Sequence, residues 1–536
     1  MTRGEATTNR GGGDRGGNAP IRRVCMFVYN NGARDVRVHK EAQTLVASGR
    51  AVEVVCVLDR TTTPREERDG FTITRIDRNP PHYRLLRWAR FTRANARRSR
   101  LRRRRRGVVL RLPVLRITKP DGATLAERLP RTVRRPYEAA RWRVLRRVPR
   151  LRRHYYRRRA ERSRAIKVAD ILAKQPQAPA RTTRPLTVRA PRVTAPGPTS
   201  TWIRHVDVAV STRSYRAVMW FHKPLMYLDY YRRAAKVAES GGFDAFHAHD
   251  LNTMPVAWLV ARRTGKPLIF DAHELYPDVS GLSRRERAVW RVAERLLSPR
   301  ATRVITVCES IAGELTKRHK LDPPTILLNC PPRTARPQLS SSDALRRHAG
   351  LLDSTTPIVL YQGGYAPGRG LEELIAAAED IQSATLVLMG WGTIEEQLAA
   401  TIRERGLEGR VRMVPPVPQQ ELLTYTAGAD IGVIPYQPVG LNNYYTTPNK
   451  MFEYVNAGVA VAGSAVPEIT RFVQGYGFGV TFDPYDPSDI ARAINGLLAD
   501  PEALRDKRRA AAAAAEQLNW DCEQRKLVSL YDELAA

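Results

Sequence analysis

The stretch that decides the fold is TTPNKMFEYVNAGVAVAGS, residues 446–464. A loop containing Pro448 leads into a short amphipathic segment, Gly458 ends that segment, and a run of small apolar residues follows. This order predicts a loop, a helix stopped by glycine and a buried strand, which is typical of an α/β domain with a parallel sheet. Lys450 stands at the mouth of the helix, and the carboxylate of Glu453 lies inside it.

The start of this helix suits an anionic ligand. The first N–H groups of a helix have no intrahelical acceptor and lie at the positive end of the helix dipole. A diphosphate can bind to them beside Asn449 and Lys450, while Glu453 can reach the hydroxyls of a ribose. We therefore expect a site for a nucleotide sugar.

The length and composition of the chain limit its number of domains and its cellular compartment. With 536 residues and 43% hydrophobic content, the chain is long enough for two or three domains. Five scattered cysteines without a CxxC pair favour a reducing compartment. Residues 1–20 are predicted to be a disordered tail without a secretory signal, and no apolar run reaches the roughly 18 residues of a spanning helix. These features predict a cytoplasmic protein.

Strand and helix patterns alternate in two parts of the chain. The first part, residues 21–335, opens with a βαβ unit made of the strand Val24–Tyr29, a helix from about Asp35 and the strand Ala51–Leu58. The other predicted strands lie at 245–247, 267–271, 303–307 and 325–328, and, after a proline-rich hinge at 331–337, at 358–361, 385–389, 411–414 and 430–435. We predict two Rossmann-like domains facing across a cleft, the second at 336–515, with a helix in 516–536 that packs back on the first.

The net charge of +36 is concentrated in one segment. Residues 81–167 carry 32 Lys and Arg against four acids, whereas the other 449 residues carry a net charge of only +8. We interpret residues 81–205 as a basic insert of the first domain, partly helical or disordered, ending in a Pro/Thr/Arg linker.

Three hypotheses remain open for the basic insert: a solvated charged run, contact with nucleic acid, and attachment to an anionic membrane surface. Leu, Trp and Tyr interleave with the arginines, which favours the membrane surface. No recognised nucleic-acid module accompanies the arginines, so we expect no nucleic-acid partner.

Several motifs, taken in order, resemble the family 4 glycosyltransferases of bacterial type, which have the GT-B fold. In the first domain these are DVRV at 35–38, DAFHAHD at 244–250 and FDAHEL at 270–275. In the second they are the loop 363–370 and the signature 449–468. The resemblance covers residues 22–78 and 240–535. It implies a hexosyltransferase-like enzyme that uses a nucleoside-diphosphate sugar and retains anomeric configuration.

On the donor side, the resemblance implies that Glu453 contacts the nucleotide ribose and that Arg369 meets the diphosphate. Gly363 and Gly364 then form the start of the phosphate loop, and Gly390 ends the strand near the base. Fixed positive charge and N–H donors at the phosphates are what the chemistry needs. No Asp-x-Asp stands at a strand end and the carboxylates do not cluster as Mg²⁺ ligands, so we predict no metal and no cofactor.

Two positions depart from the family pattern. Tyr445 replaces the first of a pair of glutamates that are usually eight residues apart, and Gly364 replaces an arginine of the phosphate loop. We expect Lys450 or Arg471 to compensate for the missing charge. Tyr445 is a cleft candidate by position, although its side chain predicts packing rather than chemistry.

On the acceptor side, the resemblance implies that His247 is a cleft histidine near the transferring sugar. Ligands of α/β sheets bind at the carboxyl ends of the strands, where His249 also stands, so we predict both histidines as catalytic residues. Closure of the domains would bring His247 against the sugar and exclude water. Further cleft candidates at strand ends are Asn31, Gly32, His273 and Glu274.

The sequence thus predicts a glycosyltransferase of cell-envelope glycan biosynthesis. Its acceptor would be a lipid-linked or other membrane-associated glycan, and it would lie as a peripheral protein on the inner face of the plasma membrane. A sugar-nucleotide epimerase of the same fold is the alternative, although the basic insert has no evident use in one. A nucleic-acid-binding protein with a degenerate enzyme body is the other. The sequence leaves the sugar and the nucleobase open.

Overall fold

The computed structural model describes residues 20–33, 35–78, 80, 83, 221–333 and 343–535. The predicted tail up to residue 19, the basic insert except for residue 83, and residues 334–337 of the predicted hinge lie outside these ranges. The described residues belong to one compact unit, Met1–Leu85 with Val218–Ala536, and Leu86–Ala217 form another.

A first sheet is built by the strands β1 (Arg23–Phe27), β2 (Ala51–Val57), β3 (Arg65–Arg68), β4 (Phe71–Ile76), β5 (Ala245–His249), β6 (Leu268–Ala272), β7 (Arg303–Thr306) and β8 (Thr325–Ile326). Their order is β3-β4-β2-β1-β5-β6-β7-β8, and only β3 runs antiparallel to its neighbour. All residues of β5 and β6 are buried, because helices cover both faces of the sheet.

The helices of this domain are α1 (Val36–Ala47), α2 (described over 221–240), α3 (Met254–Thr264), α4 (Arg284–Leu297) and α5 (Glu309–His319). Side chains fix their starts. Asp35 caps α1 by accepting the N–H of Val38, and Ser283 forms a capping box with Glu286 at the start of α4.

A second sheet contains β9 (Ile358–Gln362), β10 (Thr385–Met389), β11 (Val411–Val414), β12 (Ile431–Ile434), β13 (Ala460–Ser464) and β14 (Gly479–Phe482). Its order is β11-β10-β9-β12-β13-β14, all parallel. Its helices are α6 (Asp343–His348), α7 (Leu371–Ala377), α8 (Glu395–Arg405), α9 (Leu422–Thr426), α10 (Leu441–Tyr444), α11 (Asn449–Asn456), α12 (Pro467–Gly475), α13 (Pro487–Ala499) and α14 (Pro501–Ala514). The predicted α/β fold with two parallel-sheet domains is confirmed.

The last helix, α15 (Trp520–Ala535), packs on the first sheet although it follows the second in sequence. Its side chains Trp520, Leu530 and Tyr531 are buried in one core with Val24 of β1 and Leu45 of α1. The indole N–H of Trp520 donates to the hydroxyl of Thr44 at 3.0 Å. One face of the first sheet is therefore completed by the end of the chain.

No helix within the described ranges has the length and apolar character needed to cross a bilayer.

Truncation of Leu530 should destabilise the first domain. Leu530 is buried between α15 and the sheet, and a buried Leu→Ala change removes apolar contact and leaves a cavity. We expect Leu530→Ala to lower the free energy of unfolding by about 2–5 kcal/mol, measured by urea unfolding followed by circular dichroism. The control Leu352→Ala, at a leucine that is 51% exposed, should change it by less than about 0.5 kcal/mol. Equal effects of the two variants would contradict this packing.

Candidate functional site

A cavity of about 580 Å³ lies where loops of the two sheets meet. Its lining residues follow strands of both sheets, as expected for ligand sites of α/β folds. Those from the first domain are Asn30, Asn31, Asp35, Val36, Arg37, His273, Glu274, Val307, Ile311 and Asn329. Those from the second domain are Arg369, Asn442, Asn443, Thr446, Thr447 and Asn449.

Five of the residues singled out in the sequence line this cavity: Asn31, His273, Glu274, Arg369 and Asn449. The other nine lie outside its lining, namely His247, His249, Gly32, Gly363, Gly364, Gly390, Lys450, Glu453 and Tyr445.

His273 is, beside Arg37, a cationic residue on the first-domain side of the cavity. Its Nε2 bonds Oδ2 of Asp271 at 2.8 Å, and its Nδ1 lies 3.6 Å from Oδ2 of Asp250. Burial alone would lower the pKa of His273, but the two carboxylates outweigh burial and raise the pKa to about 10. The imidazole is therefore protonated at neutral pH and presents a positive charge to the cavity.

Asp271, beneath His273, is held by Arg37. The guanidinium of Arg37 bonds both carboxylate oxygens, through Nε at 2.7 Å and through its second terminal nitrogen at 2.8 Å. Although burial would raise the pKa of Asp271, Arg37 and His273 hold it well below its usual range. Asp271 is thus an anion that orients the histidine above it.

His247 does not reach the cavity, which corrects the prediction that it lies against the transferring sugar. Its side chain is fully buried on the face of β5 that α15 covers, and its Nδ1 lies 3.0 Å from the hydroxyl of Tyr531. Burial is the main cause that holds the pKa of His247 well below its usual value, so the ring is neutral. Its nearest carboxylate oxygen is Oε2 of Glu41, 3.7 Å from Nε2.

His249 occupies an intermediate layer between His247 and His273. Its ring stacks on His247 with centroids 4.4 Å apart, and its Nδ1 lies 3.2 Å from Nε2 of His273. Burial lowers its pKa, and the side chain is almost completely inaccessible. The structure thus places His249 behind the cavity histidine.

One group of described side chains comes close enough to share a cation: Glu41, His247, His249 and Asp271 have ligand atoms within 4.8 Å of one another. Two contacts oppose this use. Arg37 already supplies the positive charge next to Asp271 and Glu41. The two imidazole rings are stacked with an interplanar angle of 13°, so their in-plane lone pairs run side by side and do not converge. The group therefore fits a buried ion-pair network better than a metal centre.

Asn442 joins the two domains across the cavity. Its Nδ2 donates to Oε2 of Glu274 at 3.1 Å, and its Oδ1 accepts the backbone N–H of Leu275 at 3.0 Å. Burial raises the pKa of Glu274 to about 7, so this carboxyl can hold or release a proton near neutral pH.

The segment that carries Tyr445 is docked on the first domain. The aromatic ring of Tyr445 packs against the core that contains Trp290 and Leu275. Its backbone carbonyl accepts from the thiol of Cys308 at 3.3 Å. Tyr445 therefore occupies a packing position, in agreement with its side-chain type.

The donor-side residues named from the sequence lie together next to the second sheet. Glu453 accepts a hydrogen bond from Nε2 of Gln362 at 2.6 Å, and the hydroxyl of Thr426 donates to Oε1 of Gln362 at 2.8 Å. Burial raises the pKa of Glu453. This carboxyl is held in one orientation by a side chain at the end of β9.

Lys450 is a buried lysine without a hydrogen-bond partner among the described residues. Its Nζ lies 3.4 Å from the centroid of the Tyr361 ring and 5.0 Å from the centroid of the Tyr436 ring. The guanidinium of Arg369 lies over the Tyr436 ring, 4.1 Å from its centroid. Burial first, and then the nearby Arg369, hold the pKa of Lys450 well below its usual range. Such a group is ready to accept an anion.

Gly363 and Gly390 have backbone reasons for their identity. Gly363 has a φ of +117°, which other residues rarely adopt, and a Cβ on it would meet Nζ of Lys450 at 3.5 Å. A Cβ on Gly390 would lie 2.0 Å from the carbonyl oxygen of Gly363. The carbonyl of Gly364 accepts a hydrogen bond from the hydroxyl of Tyr361.

Gly32, the predicted cleft glycine of the first domain, lies outside the cavity lining. Its carbonyl oxygen is 2.6 Å from Nε2 of His39.

Arg471, the other residue expected to compensate for Gly364, is engaged elsewhere. It bonds Glu468 at 2.7 Å and Glu309 at 3.1 Å, whereas Lys450 has no hydrogen-bond partner among the described residues. Lys450 is therefore the better placed of the two.

Sequence reasoning missed the amide-rich character of the cavity. Asn30, Asn329, Asn442 and Asn443 all contribute to its lining, and none was singled out. The adjacent pair at 442–443, close to the signature and preceded by Gly440, was the available signal.

The charge on His273 should make stability pH-dependent. Its folded-state pKa of about 10 lies above the value of about 6.5 for an unfolded chain, so the folded state binds the proton more tightly. This stabilisation is complete below about pH 6.5 and is lost as the pH rises through about 10. His273→Asn should flatten the decline in the free energy of unfolding over that interval, measured by urea unfolding at several pH values. His348→Asn, which removes a histidine bonded to the carbonyl of Pro415, should leave the slope unchanged; an unaltered slope in His273→Asn would refute the assignment.

Two family models match the chain. Residues 187–332 match a glycosyl transferase 4-like domain, and residues 356–500 match the glycosyl transferases group 1. Together they span more than half of the chain. Among similar curated proteins, D-inositol 3-phosphate glycosyltransferase of Thermobispora bispora is 25% identical over 327 residues, 56% of this chain and 73% of that protein. The Segniliparus rotundus protein of the same name is 27% identical over 299 residues, 53% and 65% of the two chains.

Solved structures agree on the fold. Sucrose-phosphate synthase from Thermosynechococcus elongatus has a TM-score of 0.57 at 15% identity, covering 96% of this chain and 99% of that one. A glycosyltransferase from Rickettsia africae has a TM-score of 0.52 at 10% identity, covering 96% and 98%. At these identities the likeness concerns the fold alone. Together with the family models, it identifies this chain as a member of the family 4 glycosyltransferases, which have the GT-B fold.

Proposed function

We propose that this glycosyltransferase is retaining and metal-independent, and that it moves a hexose from a nucleoside-diphosphate sugar to an acceptor hydroxyl in the cavity. The single observation that carries the donor assignment is Lys450, a buried lysine without a hydrogen-bond partner among the described residues, beside Gly363 and Arg369. Donor binding would involve residues 336–515 and acceptor binding residues 21–335.

The start of α11 supports a diphosphate at this place. The helix begins after Pro448 without a side-chain cap. The N–H of Met451 donates to the carbonyl of Pro448 at 2.9 Å, which leaves the N–H groups of Asn449 and Lys450 for a ligand. Asn449 and Thr447, which flank this start, line the cavity. Negative charge that develops on the leaving phosphate would be met by Arg369, Lys450 and these N–H groups. This positive charge belongs to the chain itself, which supports a reaction without a metal.

His273 and Glu274, in place of His247 and His249, are the proposed acceptor-side residues. The imidazolium of His273 would stabilise anionic oxygens of the donor or the departing phosphate. Glu274, with a pKa near 7, would exchange a hydrogen bond or a proton with a sugar hydroxyl. His247 would act only by packing β5 against α15.

The acceptor is proposed to be a hydroxyl-rich molecule associated with a membrane. Amide side chains donate and accept hydrogen bonds, which suits neutral hydroxyl groups, and the cavity contains several of them. The curated relatives are named for D-inositol 3-phosphate, which is also a polyol. The basic segment 81–167 supports attachment to the inner, anionic face of the plasma membrane in cell-envelope glycan biosynthesis.

Donor binding should take up a proton at Lys450. Burial and the nearby Arg369 hold the pKa of Lys450 well below its usual range, and a bound diphosphate favours the ammonium form and so raises that pKa. UDP or GDP should therefore bind more tightly as the pH falls toward neutrality. Calorimetric titrations in buffers of different ionisation enthalpy measure the proton uptake directly.

Lys450→Met should abolish that proton uptake and weaken nucleotide binding by about tenfold or more. Lys317→Met, at an exposed lysine of the first domain, serves as the matched control and should change neither quantity. Proton uptake that persists in Lys450→Met would show that another group meets the diphosphate.

The reaction class is tested by incubating the enzyme with UDP-, GDP-, ADP- and dTDP-sugars, with and without polyol or glycan acceptors. Transfer that requires acceptor, retains configuration and continues in excess chelator is expected. Conversion of the sugar nucleotide without acceptor would favour an epimerase, and loss of transfer on chelation would refute metal independence.

A further inference from the structure

Lys450 and Glu453 are a base and an acid three residues apart on α11. Side chains with this spacing are neighbours on one face of a helix, where a lysine and a glutamate can form an ion pair. In the described part of the chain, however, Nζ of Lys450 has no hydrogen-bond partner, and Oε2 of Glu453 accepts instead from Nε2 of Gln362 at 2.6 Å. A glutamine of another element therefore holds the acid of this helix.

Gln362 is fixed at both ends of its amide. It is the last residue of β9, and it is 2% exposed. Its Oε1 lies 2.8 Å from the hydroxyl of Thr426, a fully buried side chain whose hydroxyl also lies 2.7 Å from the carbonyl of Leu422. A carboxylate only accepts hydrogen bonds, so the NH₂ end of the amide faces Glu453. Gln419 also bonds this carboxyl, but from an exposed position.

Tyr454, the neighbour of Glu453 on α11, joins the helix to the same strand end. The N–H of Gln362 donates to the hydroxyl of Tyr454 at 3.3 Å, and that hydroxyl donates to the carbonyl of Leu360 at 2.9 Å. Gly363, the start of the phosphate loop, follows Gln362 directly. The end of β9 therefore sets the position of the carboxyl of Glu453 relative to the phosphate loop.

We propose that Gln362 is a positioning residue, which holds the carboxyl of Glu453 toward the ribose of the nucleotide and away from Lys450. Lys450 then stays available to the diphosphate. This inference rests on the proposed donor site at the start of α11, and it names the residue that keeps the acid and the base of that site apart. A Glu453 released from Gln362 would pair with Lys450, and both contacts with the nucleotide would weaken.

Selectivity for the ribose hydroxyls tests the proposal. Calorimetry measures the affinities of UDP, GDP and ADP and of their 2′,3′-dideoxy forms, and the selectivity is the ratio of the two affinities for a base that binds. Gln362→Met removes the amide and should lower this ratio about tenfold, because a hydrogen bond that orients a carboxylate is lost. Loss of folded protein would lower both affinities alike and leave the ratio unchanged.

A matched control removes the same kind of hydrogen bond elsewhere. Nε2 of Gln397 on α8 donates to Oε1 of Glu372 on α7 at 3.1 Å. Gln397→Met should therefore keep the selectivity of the wild type.

Two further measurements act through the same contacts. Thr426→Val removes the hydroxyl that holds the amide oxygen of Gln362 but keeps the shape of the side chain, and it should lower the selectivity by a smaller factor. In Gln362→Met, Lys450 paired with Glu453 would already be an ammonium before the nucleotide arrives. The proton uptake on nucleotide binding should therefore be smaller than in the wild type.

The outcomes separate this inference from the proposed function. A selectivity that falls in Glu453→Gln but not in Gln362→Met and Thr426→Val would show that the carboxyl needs no positioning, which overturns the inference and leaves the donor site. A selectivity that is unchanged in Glu453→Gln would overturn the inference and leave Lys450 as the diphosphate contact. If the wild type binds none of the three nucleotides, the proposed function fails, and the inference fails with it.

Discussion

The buried ion pair between Arg37 and Asp271 is the interaction on which the first-domain side of the cavity depends. Arg37 lies on α1 and Asp271 on β6, so the pair joins a helix to the middle of the sheet. The same guanidinium donates to the carbonyl of Leu327 at 2.8 Å, and the same carboxylate holds His273. A buried charge that loses its partner destabilises the folded state. The ion pair therefore fixes the positions of α1, of the segment after β8 and of His273 relative to one another.

The fold was predictable because its signals are local. The strand at 385–389 has the bounds expected from its apolar run, and the helix expected from about Asp35 begins at Val36 with Asp35 as its cap. The fate of His247 was not local. A histidine at a strand end is predicted to lie in the cleft. His247 is instead covered by α15, where its partner Tyr531 lies 284 residues later in the sequence. Only the packed structure distinguishes His247 from His273.

The second-domain residues of the candidate site were predictable from local sequence, whereas a contact between the two domains was not. Lys450 and Glu453 belong to one short helix, so the signature at 449–468 places them together. The loop at Gly363 directly follows β9 and was recognised as a motif of its own. The contacts of Asn442 could not be predicted, because its partners Glu274 and Leu275 come from the other domain and the asparagine pair at 442–443 does not indicate what it bonds. Amide side chains also give little chemical signal in a sequence, since most of them lie in loops and caps.

The position of α15 has a consequence for synthesis on the ribosome. The face of the first sheet that contains Val24 and Leu45 stays uncovered until Trp520 and Leu530 have been made, although β8 was completed about 190 residues earlier. At translation rates of about 5–20 residues per second, this gap lasts about 10 to 40 s. We expect the nascent first domain to expose apolar surface during that interval, and chaperones would bind to that surface.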